Sequence, residues 1–231
     1  MVTKAGDSGL LGQSRSSACT IIIGHGEEDV GKTRLFTVHE KVIRRRSKFF
    51  EAALSKSWIE NEKHTVKLPE RDPDVVRQYL HQPYVGTLYE GTTPWTHSRS
   101  MNTDVHPNLA QLYVFGEYVQ DKSFRLSVLS AIIKLLCEPC ADGTSYYPSK
   151  ETLQIIYGGT PVESPERQIL VACYAGAGEA EWLTDCRGAD AFPNEFLLDL
   201  ACVLYKSPEE RLSFDEAHVK EITEFYTALE Q

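Results

Sequence analysis

The chain has 231 residues, 42% apolar and 25% charged, a balance that excludes long-range disorder and collagen-like or mucin-like composition. The length suits one large domain or two small ones and is ample for a self-sufficient core. A net charge of −9 argues against a general nucleic-acid or anionic-membrane binder, because phosphates would be repelled.

Residues 1–17 are small, polar and Gly/Ser-rich, the composition of a flexible tail, with no apolar stretch of the secretory kind. No run reaches the about 18 apolar residues that span a bilayer. The six cysteines therefore read as reduced intracellular thiols, and cytoplasm or nucleus is the expected location. Thr20-Ile21-Ile22-Ile23 is β-branched, ends at Gly24 and predicts a buried strand. After a polar, Gly-containing turn over 24–32, Leu35 to His39 alternates and predicts a second strand in a hairpin with the first. From Glu40 the period changes. Val42, Ile43, Phe49, Phe50, Ala53 and Leu54 fit two short helices broken near Ser47, and His64, Val66 and Leu68 then share one face of a third strand. Asp72-Pro73 supplies an N-cap and a first-turn proline for a helix whose apolar face is Val75, Val76, Tyr79 and Leu80.

Residues 86–107 are rich in Gly, Thr, Pro, Ser and Asn and predict a long loop. Two helices follow, one marked by Leu109, Leu112, Tyr113 and Val119, the other by Phe124, Val128, Ile132, Ile133 and Leu136, stopped at Glu138-Pro139. Beyond Asp142-Gly143 the pattern is helical over about 150–157, 165–177, 194–205 and 208–230. Ser164-Pro165 starts one of these helices, and Ser207-Pro208-Glu209-Glu210 is a capping box for the last. The class is α+β, with strands confined to the first seventy residues and helices elsewhere.

Four motifs invite chemistry. Gly26-Glu27-Glu28-Asp29-Val30-Gly31-Lys32-Thr33 fits the phosphate-loop pattern G-x4-G-K-T, in which backbone N–H groups wrap phosphates, Lys reaches their oxygens and Thr holds Mg²⁺. Read so, with Asp199 as the second Mg²⁺ residue, the chain is a nucleotide hydrolase or kinase. Against it, Glu27, Glu28 and Asp29 put three negative charges where a triphosphate would sit, and an alternating strand follows where the motif must open a helix. A hairpin turn is the expected reading. Cys137-Glu138-Pro139-Cys140 has zinc or redox spacing, but Cys173, Cys186, Cys202 and His106 show no second paired spacing, so buried or capping thiols are expected. His39, with no nucleophile signature near it, reads as structural, its ring satisfying backbone groups. Lys41, Arg44, Arg45, Arg46 and Lys48 read as a solvated helix face before an import signal or acidic-partner patch.

Trp58-Ile59-Glu60 stands apart: a large apolar residue inside the polar stretch Ser55 to Lys63. It either folds back onto its own domain or anchors a partner, since aromatic hot spots ringed by polar residues mark interfaces.

The segment Leu35-Phe36-Thr37-Val38-His39-Glu40-Lys41-Val42-Ile43 with Ser47-Lys48-Phe49-Phe50 resembles the core signature of the BTB/POZ domain. The likeness continues through Val66-Lys67-Leu68-Pro69-Glu70, Asp72 to Leu80, Tyr84-Val85-Gly86 and Leu112 to Asp121, covering about residues 18–137 in order. Glu151-Thr152-Leu153 and the helix from Pro193 to Leu204 are similar to tails of fungal-type BTB proteins. The chain departs from the family at Ala18, where many members are acidic, and in residues 1–17, which offer only Leu10 and Leu11 where dimeric members carry an amphipathic helix. The resemblance implies a flexible tail (1–17), a BTB/POZ domain (18–140) and a helical extension (141–231). It implies a protein–protein interaction module, not an enzyme, with no catalytic, metal or cofactor site. Expected partners are other proteins: a second copy through Val42, Ile43, Phe49 and Phe50, and a cullin-type ubiquitin-ligase scaffold through Trp58, Ile59 and Glu60, which fit the apolar-x-Glu motif of BTB adaptors.

Overall fold

A computed structural model describes residues 18–23, 34–55, 64–68, 71–90, 93–94, 105–137, 147–184 and 191–206. The first strand, β1 (Ala18–Ile23), pairs antiparallel with β2 (Arg34–His39), Ile21 opposite Phe36. On its other side lies β3 (Thr65–Leu68), parallel, with Ile21 opposite Val66. Side chains alternate across a sheet, so Cys19 and Ile21, Val38, and Val66 with Leu68 all reach the core. The order β2-β1-β3 makes the β-branched run its central strand.

Helices α1 (Glu40–Arg46) and α2 (Lys48–Ala53) meet at a single extended residue, Ser47. Its N–H closes α1 on the Ile43 carbonyl (3.0 Å), and its Oγ accepts from Phe50 N–H (3.1 Å), capping α2. The same hydroxyl donates to the Val119 carbonyl, so the break between the two helices is also tied to a distant turn. Helix α3 (Pro73–Val85) opens on Asp72, whose carboxylate accepts from Asp74 N–H at 2.7 Å. It ends at Gly86, whose φ of 75° is costly for any residue with a Cβ. All four of its anticipated apolar residues are buried.

Two short strands, β4 (Tyr89–Glu90) and β5 (Thr93–Pro94), pair antiparallel inside the stretch read as loop. Strands are thus not confined to the first seventy residues; two-residue strands are too short to show alternation. Helix α4 (His106–Tyr118) also starts before position 107, since Pro107 suits a first turn, where no N–H is needed. After α5 (Lys122–Cys137) come α6 (Lys150–Gly159), α7 (Pro165–Ala177), α8 (Ala180–Thr184) and α9 (Asn194–Leu204). Helix α8 was not anticipated: five residues carry too little periodicity to read. The expected 208–230 helix lies outside the described residues.

The two halves share one hydrophobic core running from Cys19 to Leu200. They touch most closely where α6 rests on α4. A Cβ on Gly159 would stand 2.3 Å from Val114 Cγ1, a distance no packed pair tolerates. The boundary near 140 is one of sequence rather than of packing. Among the described residues, no helix is long and apolar enough to cross a membrane.

Candidate functional site

The α1–α2 corner carries most of the residues singled out by sequence. Phe50 is fully buried, stacked near Tyr79 at 6.2 Å, and Ile43 is 1% exposed. These two belong to the protomer's own core. That corrects the expectation that Val42, Ile43, Phe49 and Phe50 all serve a second copy; of these only Val42 and Phe49 keep part of their surface. Phe49 packs against Tyr118, which in turn holds the Arg71 guanidinium 4.0 Å above its ring.

Beneath this corner sits a polar hub. Asp121, fully buried, caps α5 by accepting from Phe124 N–H (2.9 Å) and accepts the Tyr79 hydroxyl (3.2 Å). Arg46 closes an ion pair with it at 3.1 Å and donates to Gln82 at 2.7 Å. Burial, with the Asp121 charge beside it, pushes the Tyr79 phenol well above its ordinary range. One member of the basic run therefore turns inward. Arg46 is no part of a solvated face, whereas Arg44 lies along the surface against Glu40 (2.9 Å). Asp121 was missed, although Asp121-Lys122-Ser123-Phe124 is an N-cap signature.

His39 occupies the β2–α1 junction. Its Nδ1 lies 3.0 Å from the Tyr84 hydroxyl, which also accepts from the His39 N–H (3.2 Å). The ring's partner is thus a side-chain hydroxyl instead of the anticipated backbone groups, and it ties Tyr84-Val85-Gly86 to the strand end. Trp58, Ile59 and Glu60 lie outside the described residues, between the end of α2 and β3.

Gly26–Thr33 also lies outside them. Its surroundings weigh against phosphate binding: β2 begins at Arg34, one residue after Thr33, where a phosphate loop opens a helix. Asp199 sits in α9, and its carboxylate accepts the Tyr157 hydroxyl at 2.9 Å. Of the paired cysteines only Cys137 is described. Burial pushes the Cys19 thiol up to about 11 and the Cys173 thiol up to about 12, so both stay protonated and unreactive at neutral pH. Among the described residues no cluster of His, Cys, Asp and Glu is arranged to hold a metal.

In the second half, Arg167 joins three helices. Its guanidinium donates to the carbonyls of Tyr157 (2.8 Å) and Thr160 (2.6 Å), to Thr160 Oγ1 (3.1 Å) and to Glu195 (2.6 Å). It thereby satisfies the open C-terminus of α6 from the first turn of α7. Next to it, Glu166 is 1% exposed, and its Oε2 has no hydrogen-bond partner among the described residues. Desolvation raises this carboxyl from 4.5 to about 8. The folded state then holds a proton that the unfolded state has lost, so stability is highest below pH 4.5 as far as this group goes and falls as pH rises toward 8. A total decline on the order of 5 kcal/mol follows from a shift of that size. Urea titrations across that window should show it in the wild type, and Glu166→Gln should flatten it.

Beyond this knot, α7 and α9 flank a groove of about 280 Å³ lined by Val162, Val171, Cys202, Val203 and Lys206 among others. Exposed apolar residues border it, including Leu198 at 65% and Tyr205 at 93%. Asp199 and Cys202, weighed in the sequence for Mg²⁺ and zinc, both line it, but no sequence feature marks a groove, because α9 reads as an ordinary core helix. The chain matches no protein-family model and no curated protein.

Proposed function

We propose that the chain is a protein–protein interaction module of the BTB/POZ type, with a helical extension, that serves as an adaptor for a cullin-type ubiquitin-ligase scaffold. The observation that carries this reading is the order of elements over residues 18–137. A strand hairpin ends at His39, two short helices meet at Ser47, and a strand parallel to the first follows. A helix capped by Asp72 and a pair of helices joined at Asp121 complete it. Each junction falls on a residue inside the segments that resemble the family, which supports the family reading. The exposed apolar residues of α9 favour a binding role as well, since such surface marks contact sites.

In this reading Trp58 fills an apolar groove on the scaffold and Glu60 sets register through a charge-assisted hydrogen bond. Trp58→Ala is expected to cost at least about 2 kcal/mol of binding, roughly thirtyfold in affinity. Pull-down of a cullin scaffold by wild type, Trp58→Ala and Glu60→Lys, alongside melting curves, tests this. Lost capture with unchanged melting supports the adaptor role. A wild type that captures no cullin, or a folded double variant that captures it fully, refutes it. A melting temperature lowered by several degrees in Trp58→Ala alone would place that indole in the chain's own core.

A further inference from the structure

The chain carries a net charge of −9, yet its α1–α2 corner exposes Lys41, Arg45 and Lys48. Among the described residues none of these three makes a hydrogen bond or ion pair, in contrast to Arg44 and Arg46 of the same run. Arg71, just past β3, is a fourth cation of this kind. Its guanidinium lies 4.0 Å over the Tyr118 ring, whose other neighbour is Phe49 of α2 at 5.1 Å. No acceptor among the described residues meets its N–H groups. A guanidinium stacked on a ring uses its face and keeps its edge donors for a carboxylate. Tyr118 is 38% exposed, and Phe49 and Val42 keep part of their surface, so apolar area stands beside the charges.

From the four cations and the aromatic shelf beside them, we infer that this corner binds a short acidic segment of another protein. An Asp or Glu carboxylate of that segment meets the edge of Arg71, and a bulky apolar side chain lies on Phe49 and Tyr118. Charge complementarity selects this occupant. Beyond the corner the chain is strongly acidic, so a nucleic acid or an anionic lipid surface is repelled there, whereas a short segment touches the cations alone. A second copy is disfavoured too, because a two-fold contact at this corner would set the same cations against each other. The rings add what a bare charge patch lacks. Phe49 packs edge-on against Phe50 and Tyr118 lies against Phe115, so both are presented in fixed positions and lose little entropy on binding. The surface goes beyond the adaptor reading and does not depend on it, since neither Trp58 nor Glu60 takes part.

Fluorescence anisotropy with a labelled eight-residue peptide, six glutamates around two phenylalanines, tests the contact. Arg71→Ala should weaken binding at least about tenfold, and Arg71→Lys by less, since it keeps the charge but loses the planar stack. A peptide with serine in place of phenylalanine should bind at least about fivefold more weakly. Arg34→Gln, on β2 and paired with Asp74, is the control and should bind as the wild type does. Melting curves confirm that each variant is folded. A wild type that does not bind the peptide overturns the inference, and so does a folded Arg71→Ala that binds normally. Equal losses in Arg34→Gln and Arg71→Ala would reduce the effect to diffuse charge, and equal binding of the serine peptide would remove the aromatic shelf; either overturns it. Tighter binding to phosphatidylserine vesicles or to oligothymidylate would assign the corner to a polyanion. Peptide binding lost as a doubled mass appears on sedimentation would assign it to a second copy, and both outcomes overturn the inference. Cullin capture enters none of these readings, so failure of the adaptor role and failure of the acidic-segment site are told apart.

Discussion

Replacing Arg167 with Met should lower the free energy of unfolding by about 2–5 kcal/mol, the cost of leaving two buried carbonyl acceptors without their donor. The guanidinium is 4% exposed and lies 4.4 Å over the Tyr157 ring. Removing it strands the Tyr157 and Thr160 carbonyls at the end of α6, where the helix itself offers them no donor. The ion-pair partner matters far less. Glu195 is 65% exposed, so water replaces the lost contact, and Glu195→Gln should cost under about 1 kcal/mol. Arg167→Lys keeps the charge but cannot reach four acceptors from one ammonium, and should fall between the two. Equilibrium urea denaturation of the three variants orders them; a Met variant within 1 kcal/mol of wild type would remove Arg167 from its role as the joint of α6, α7 and α9.

The second large effect is expected at Asp121. Its deletion to Ala takes the cap from α5, the acceptor from the Tyr79 hydroxyl and the countercharge from Arg46 at once. About 3–5 kcal/mol should be lost, since the half-buried guanidinium and the buried phenol are both left without it. Asp121→Asn retains an acceptor for Phe124 N–H and should cost about 1–2 kcal/mol. Because the core is continuous from Cys19 to Leu200, both halves should melt together. Far-ultraviolet circular dichroism and tryptophan fluorescence of Asp121→Ala are expected to report one coincident transition, shifted by the same amount. Separate transitions would contradict the shared core.

What the sequence disclosed and what it hid divide along one physical line. Asp72 was legible as a cap, and Ser47 as the break between two helices, because both are local devices: the side chain and the N–H group it satisfies lie within three residues. The strand faces and the apolar side of α3 were legible for the same reason, as periodicity is local. Arg46 was misread because its partners, Gln82 and Asp121, are 36 and 75 positions away, and nothing in a run of basic residues tells which one turns inward. Arg167, Glu166 and the groove were invisible on similar grounds, since each depends on helices far apart in the chain. Ile43 and Phe50 looked like surplus apolar residues only while the helices were read alone. Packed under Tyr79 and the sheet, they are ordinary core. The segment with the sharpest functional expectation, Trp58 to Glu60, lies outside the described residues and is reached by experiment instead.

The contact between Gly159 and Val114 has a mechanical consequence. With no side chain on Gly159, α6 lies against α4 without a cushion, and helices in such close register cannot slide or pivot past one another. A hinge between the two halves at this seam would have to part that close contact. At this seam the two halves meet as in a bracket rather than through a tether.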